Sequence, residues 1–280
     1  MNEGFLLKLS ADLLCFCLDS TKTENLFVST NVSNKTMLLR SIACNFNQFA
    51  RRLHSARDKL EPATDVFTWH THNPVKLRME DTRPGNYPPV LVQTMVRESV
   101  QKYGPSKALV DCEGDISWTY DQYYAEVLKA SKGFISLGLQ PYNGVGILAH
   151  NNRYWFVSSL AAIFAGGLSC GIYTTNSAST VAFICNHAPL DIMVIESEAH
   201  LEKLIKGEPS IAERVKAFVL MHSPSEPRHQ KAISWEAMIE KGQKVNDEEL
   251  HEREKMQAVN KACMLIYTSG TTGPPKGNAK

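Results

Sequence analysis

From about residue 90 onward the chain alternates short apolar runs with stretches whose apolar residues recur every three to four positions, the signature of strands buried on both faces separated by amphipathic helices. Val92, Met95, Val96, Val100 and Tyr103 fall on one helical face, and Gly104-Pro105 ends it. Ala108 to Val110 and Ile116 to Tyr120 read as two short strands around a Gly114-Asp115 turn. A helix from Asp121 to Leu137, closed by Gly138, precedes a regular series of strands at Val145–Ala149, Leu168–Tyr173, Ile192–Ile195, Val215–Met221 and Cys263–Tyr267. Helices are expected between them at Arg153–Ala165, Thr180–His187, Ala199–Ile205, Trp235–Ile239 and Asp247–Val259. This grammar predicts an α/β domain with a mostly parallel sheet covered by helices on both faces, whose ligands sit beyond the carboxyl ends of the strands.

The pattern weakens toward the N-terminus. Residues 1–60 are rich in Asn, Ser and Thr and read as a weakly structured extension. Residues 61–89 carry Pro62, Pro74, Pro84, Pro88 and Pro89 with Gly85, which predicts an extended lead-in. The compact synthesis of helices and strands is expected over 90–280. Two apolar stretches resemble membrane signals. Phe5 to Leu18 is interrupted by Lys8 and Asp12 and lacks a preceding basic region, so it makes a poor signal peptide. Trp155 to Tyr173 carries no charge, but Gly166-Gly167 divides it into a buried helix and a core strand.

Composition narrows the functional classes. The formal charge is +1, from 30 Lys+Arg against 29 Asp+Glu, without the dense positive field that a nucleic-acid polymer requires. Arg51, Arg52 and Arg57 cluster in the N-terminal extension, where either a solvated helix face or an anionic lipid surface accounts for them. Cysteines at 15, 17, 44, 112, 170, 185 and 263 show no zinc or redox spacing, which predicts reduced thiols and a cytoplasmic setting. Asn31 and Asn34 head glycosylation acceptor patterns that have meaning only on the secretory route. The charged run from Asp247 to Lys255 reads as a solvent-facing helix with Glu249 and Arg253 four apart. After the strand ending at Ala149, His150 and Asn151 either border a pocket or serve locally, the asparagine as a helix cap. No residue set has protein metal-ligand spacing, and nothing points to a specific protein partner.

The chemistry is concentrated behind the last predicted strand, in Tyr267-Thr268-Ser269-Gly270-Thr271-Thr272-Gly273-Pro274-Pro275-Lys276-Gly277. Gly270, Gly273 and Gly277 lack Cβ atoms, so successive backbone N–H groups are free to turn inward around an anion. The hydroxyls of Thr268, Ser269, Thr271 and Thr272 add donors for phosphate oxygens. Pro274 and Pro275 stiffen the far limb, and Lys276 supplies a full positive charge. A Walker loop is excluded, because here the lysine precedes the glycine and Asn278 follows.

The segment YTSGTTGPPKG resembles the signature of the AMP-forming acyl and aryl acid synthetases. Residues 66–79 (VFTWHTHNPVKLRM), 141–156 (PYNGVGILAHNNRYWF) and 171–177 (GIYTTNS) are similar to the long-chain, bubblegum-type branch of the acyl-CoA synthetases. The resemblance runs from residue 61 to 277 and implies the N-terminal part of the large adenylate-forming synthetase domain. It implies a two-step reaction in which a long-chain fatty acid attacks the α-phosphorus of ATP, pyrophosphate leaves, and coenzyme A takes the acyl group from the adenylate. It also implies Mg2+ on the phosphates, contact of residues 268–277 with the β- and γ-phosphates, and Lys276 as the loop's conserved lysine. Because the implied substrate partitions into lipid, peripheral contact with intracellular membranes is expected. The family's adenine, magnesium and ribose motifs, and a small C-terminal domain with a second lysine, have no counterpart before Lys280. Asn278-Ala279-Lys280 departs from the family's usual apolar strand, so the 280 residues read as an N-terminal portion that is inactive by itself.

Overall fold

Among the residues that the computed structural model describes (58–79, 88–111, 116–223, 226–268 and the backbone of 276–279), two strands, β1 (Lys107–Asp111) and β2 (Ile116–Thr119), form a separate antiparallel pair. The other seven make one sheet: β3 (Gly144–Leu148), β4 (Leu168–Ile172), β5 (Leu190–Ser197), β6 (Ala217–His222), β7 (Ala232–Ser234), β8 (Met264–Thr268) and β9 (Lys276–Ala279). Their order is β7-β6-β5-β3-β4-β8-β9, parallel at every pairing except the antiparallel β8 and β9. The helices are α1 (Val92–Tyr103), α2 (Tyr120–Ser136), α3 (Arg153–Phe164), α4 (Ala178–His187), α5 (Glu198–Gly207), α6 (Ser210–Arg214), α7 (Trp235–Gly242) and α8 (Asp247–Lys255). All described residues belong to the unit Asp58–Lys280.

The period of two along each strand divides the core into two layers. Val145 and Ile147 of β3, Ile192 and Val194 of β5, and Val219 and Met221 of β6 face α2, α3 and α7. Met193 and Ile195 of β5, Phe218 and Leu220 of β6, and Cys170 and Ile172 of β4 face α4, α5 and α6. On this second face β3 presents Gly144 and Gly146. A Cβ at Gly144 would lie 2.5 Å from Leu190 Cδ2, so the absent side chains let Leu190 close over the central strand. The uncharged stretch from Trp155 is thus the buried helix α3 followed by β4, and among the described residues no helix is long and apolar enough to cross a membrane.

Side-chain caps set the starts of α2, α3, α4, α7 and α8. Thr119 and Gln122 form a reciprocal capping box on α2, and Ser177, Ser234 and Asn246 cap α4, α7 and α8. The cap of α3 is Asn152, which accepts from Trp155 N at 3.0 Å, so the helix-capping role expected of Asn151 belongs to its neighbour. Gly138, at φ 89°, closes α2 in the left-handed region as expected.

The expected apolar face of α1 is only partly borne out. Met95 and Tyr103 are each 37% exposed, while the buried residue is Gln93. Gln93 Nε2 donates to Ile163 O at 3.2 Å and to Gln257 Oε1, and Gln257 Nε2 donates to the same carbonyl at 2.7 Å. The Gln93 amide nitrogen therefore seats this helix at the end of α3, while its Oε1 is buried without a hydrogen-bond partner. The helix expected over Asp247–Val259 stops at Lys255 and buries none of its residues, in keeping with its solvent-facing reading. Its Arg253 still reaches inward, donating to Leu139 O at 2.8 Å.

The amino edge of the sheet is fastened by polar groups. Asp191, 1% exposed, accepts from Gln140 N at 2.9 Å and Asn143 Nδ2 at 3.0 Å, and pairs with Lys216 Nζ at 3.0 Å. Asn260 binds the lead-in, donating to Glu61 O at 2.8 Å and to Val75 O at 3.0 Å. Glu61 lies 2.8 Å from Lys261 Nζ and 2.6 Å from Lys59 Nζ, and these hydrogen bonds, Lys261's first, hold its carboxyl below the ordinary value.

Helices α2 and α7 meet at Gly133 and Gly242, where a Cβ on Gly242 would come within 2.6 Å of Gly133 N. Gly242→Ala is therefore expected to lower stability by about 1–3 kcal/mol, since the obstacle is backbone. Asp191→Ala, which leaves the amide donors of Gln140 and Asn143 without their acceptor, should cost about 1–3 kcal/mol. Urea unfolding midpoints measure both, and wild-type stability in either variant would contradict the packing described. Glu61 gives a third expectation. Its lowered folded value means that its contribution, less than about 1 kcal/mol for a partly exposed pair, is present above 4.5 and lost as pH falls through the folded value. The acid limb of the stability profile in Glu61→Gln should be shallower than in wild type.

Candidate functional site at the carboxyl edge

The chain turns from β3 to α3 on one face and from β4 to α4 on the other, which makes the carboxyl ends of β3 and β4 a topological switch point. Beside β4 lies β8, paired in parallel from Ser169↔Met264 to Gly171↔Ile266. Its last residue, Thr268, is exposed at the same edge. From there the chain returns as β9, with Thr268 opposite Lys276 and Tyr267 opposite Gly277. Of the predicted phosphate-gripping residues, Thr268 thus ends one strand, while Lys276 and Gly277 begin the next. Ser269, Gly270, Thr271, Thr272 and Gly273 lie outside the described residues, as do Pro274 and Pro275. What the structure adds to the sequence pattern is a fixed base: both ends of the segment are tied by ladder hydrogen bonds to the same strand pair.

That base is anchored from below. Leu265 and Tyr267 point into the layer formed by α4, and Tyr267 is 5% exposed. Its hydroxyl lies 2.8 Å from His187 Nδ1, the two rings meet edge to face at 5.8 Å, and Phe183 stacks on the other side of the imidazole. Burial raises the phenol far above its ordinary range, with Cys170 and Cys185 adding to the effect, so it stays protonated. Cys170 and Cys185 are unbridged, and burial pushes each thiol up to about 12, which suits inert core residues rather than nucleophiles.

At the switch point itself three side chains meet. His150 Nδ1 lies 2.9 Å from Glu196 Oε2 at the end of β5, and its Nε2 lies 3.4 Å from Thr174 Oγ1 after β4. Burial raises the Glu196 carboxyl, but hydrogen bonds with His150 outweigh it and leave the group below its ordinary value. His150 therefore ties the ends of three adjacent strands together, the local role weighed for it in the sequence. Glu196 and Thr174 carried no signal by spacing, because their meeting depends on the strand order β5-β3-β4.

A cleft of about 440 Å³ opens between β2, α2, α3 and α7, lined by Trp118, Arg153, Tyr154, Trp235 and Glu240 among others. Tyr154 packs edge-on against Trp235 and against His222, the last residue of β6. Strands β5, β3 and β4 separate that wall from β8, so this cleft and the predicted phosphate segment are built by different parts of the edge. The donor set of residues 268–277 fits a magnesium-bound diphosphate: hydroxyls and glycine amides suit the oxygens, and a lysine supplies the counter-charge. Among the described residues no cluster of His, Cys, Asp or Glu is arranged to hold a metal by itself.

Residues 96–279 match the profile of the AMP-binding enzyme family. The chain is 38% identical over 230 residues to long-chain-fatty-acid–CoA ligase ACSBG2 of Xenopus laevis, covering 80% of this chain and 31% of that protein. It is 36% identical over 231 residues to the ACSBG2 ligase of Homo sapiens, covering 81% of this chain and 34% of the relative. It thus spans about a third of the length of these curated relatives. Among solved structures, apo MbtA of Mycobacterium smegmatis superposes with a TM-score of 0.57 at 15% identity, covering 74% of this chain and 37% of that one. The luciferase-like enzyme of the Zophobas morio mealworm gives 0.55 at 18% identity, over 73% and 45%. At these identities the structural likeness is one of fold. On the profile match and these relatives, the chain belongs to the AMP-binding enzyme family, in its bubblegum-type (ACSBG) branch, and corresponds to the N-terminal region of those proteins.

Proposed function

We propose that these residues form the diphosphate-holding portion of a long-chain fatty acid–CoA ligase that works through an acyl-adenylate. The observation that carries the reading is the segment from Thr268 to Gly277: a hydroxyl- and glycine-rich run ending in lysine, its base fixed between β8 and β9 at the sheet edge where α/β folds bind ligands. Family membership adds the reaction class, and the ACSBG relatives add the fatty-acid substrate and coenzyme A.

In this reading the fatty acid carboxylate displaces pyrophosphate from the α-phosphorus of ATP, and the thiol of coenzyme A then displaces AMP from the acyl group. Negative charge gathers on the departing diphosphate. Backbone N–H groups of Gly270 and Gly273, the hydroxyls of Thr268, Ser269, Thr271 and Thr272, and Lys276 bind and orient its oxygens. Donors already aimed at that charge lower the barrier without reorganising during the reaction. Mg2+, when bound with the nucleotide, neutralises part of the same phosphate charge. A second reading, for the 280 residues alone, is a chain with weak nucleotide or protein binding that catalyses nothing.

Two measurements follow. The purified 280-residue chain, given palmitate, ATP and magnesium, should yield no acyl-AMP; robust product would show that these residues suffice. In a longer chain that contains them and makes acyl-CoA, Lys276→Ala should lower kcat about a hundredfold, as expected when a charge-stabilising donor is removed, with KM for the fatty acid little changed. An unaltered kcat would remove Lys276 from the mechanism.

A further inference from the structure

The cleft between β2, α2, α3 and α7 takes no part in the chemistry proposed for residues 268–277, yet it has the size and lining of a ligand site. Its volume of about 440 Å³ falls within the range of small-molecule sites, roughly 300–1,000 Å³. Trp118 of β2, Tyr154 of α3 and Trp235 of α7 supply aromatic walls. Tyr154 packs edge-on against Trp235 at 5.0 Å, and Trp235 is buried while Trp118 and Tyr154 are half-buried. One cation already rests on this wall: the guanidinium carbon of Arg153 lies 4.6 Å from the centre of the Tyr154 ring.

The charged residues lining the cleft are Glu126, Glu236 and Glu240 against a single cation, Arg153. Arg153 is engaged, since its Nη2 donates to Tyr154 Oη at 3.0 Å and its Nη1 lies 3.4 Å from Asp111 Oδ2. Glu126 is paired with Lys129 at 2.7 Å, and Lys132 on the same helix is held by Asp247 at 2.6 Å. Lys241 and Lys244 are not among the walls, and between β1 and β2 the sequence adds only acids, Glu113 and Asp115. That leaves Glu236 and Glu240, a turn apart on α7, whose carboxylates have no partner among the described residues. Glu236 also complements the amino end of its helix, a role that Glu240 does not share. The lining therefore carries excess negative charge beside aromatic rings.

Aromatic rings attract a cation through the negative charge of their faces, and carboxylates at the rim attract it again, whereas an anion meets repulsion and a neutral solute only apolar area. We propose that this cleft binds a small organic cation with apolar substituents, of the quaternary ammonium class, its alkyl groups against Trp118 and Trp235 and its charge toward Glu236 and Glu240. A strongly hydrated inorganic cation is a poorer occupant, because aromatic walls do not replace its water. The inference stands apart from the proposed acyl activation, since it requires neither nucleotide nor catalysis.

Tryptophan fluorescence of the 280-residue chain tests it, because two of its four tryptophans line the cleft. Benzyltrimethylammonium should give a saturable change, half-complete at a concentration about tenfold below that required of the neutral benzyl alcohol. Benzoate, an anion built on the same ring, should give none. Glu236→Gln with Glu240→Gln should weaken binding of the cation roughly fivefold, and Glu240→Gln alone, which leaves the helix end untouched, about twofold. Circular dichroism should be unchanged in both variants, because both side chains are exposed. No saturable response to the cation, an equal response to benzyl alcohol, or undiminished affinity in the paired variant overturns the inference. A response to phosphatidylcholine vesicles without one to the free cation overturns it in favour of a lipid headgroup.

Discussion

The position of β8 governs everything proposed for the site. It pairs in parallel with β4 on one side and antiparallel with β9 on the other, so residues 264–268 have no freedom to slide. A slip of one residue would reverse the faces of Leu265 and Tyr267 and bring Tyr267 out of its contact with His187. Because Thr268 faces Lys276 across the ladder, the entry and exit of the intervening segment are fixed together. Ordering a phosphate-binding turn on such a base costs less conformational entropy than ordering one on a free chain.

The two edges of the sheet divide the work. At the amino edge, Asp191 with Lys216, Asn260 with the lead-in, and Tyr142 at φ 60° form a dense polar network that fastens the strands. Tyr142 occupies a left-handed conformation disfavoured for a bulky residue, and it is retained there by its hydroxyl on Met256 O and by Lys261 over its ring at 5.2 Å. The carboxyl edge is more sparsely fastened among the described residues, with His150, Glu196 and Thr174 as its link between strands. Rigidity at one edge leaves the other available for the binding proposed there.

Sequence patterning read the central strands well, because β3 to β6 are buried on both faces and their residues are predominantly apolar. It read α1 less well. Hydrophobic periodicity is blind to a buried glutamine whose partner, Gln257, lies 164 positions away. Strand β7 is three residues long and α6 five, too short for any period to register. Strand β9, Lys-Gly-Asn-Ala, has no strand composition and exists by pairing with β8. Proline density marked the lead-in as extended, but its attachment to Asn260 spans 185 to 199 positions and leaves no local trace. The chemistry proposed for residues 268–277 was legible for the opposite reason: it resides in consecutive residue types, and only its placement at the sheet edge required the fold.

Amide hydrogen exchange with and without ATP and magnesium tests the central claim most directly. The account predicts that peptides covering residues 268–277 exchange more slowly when nucleotide is present, because their N–H groups are the donors, and that Lys276→Ala diminishes the protection. Protection confined to other segments, or the same exchange across 268–277 in both conditions, would contradict it.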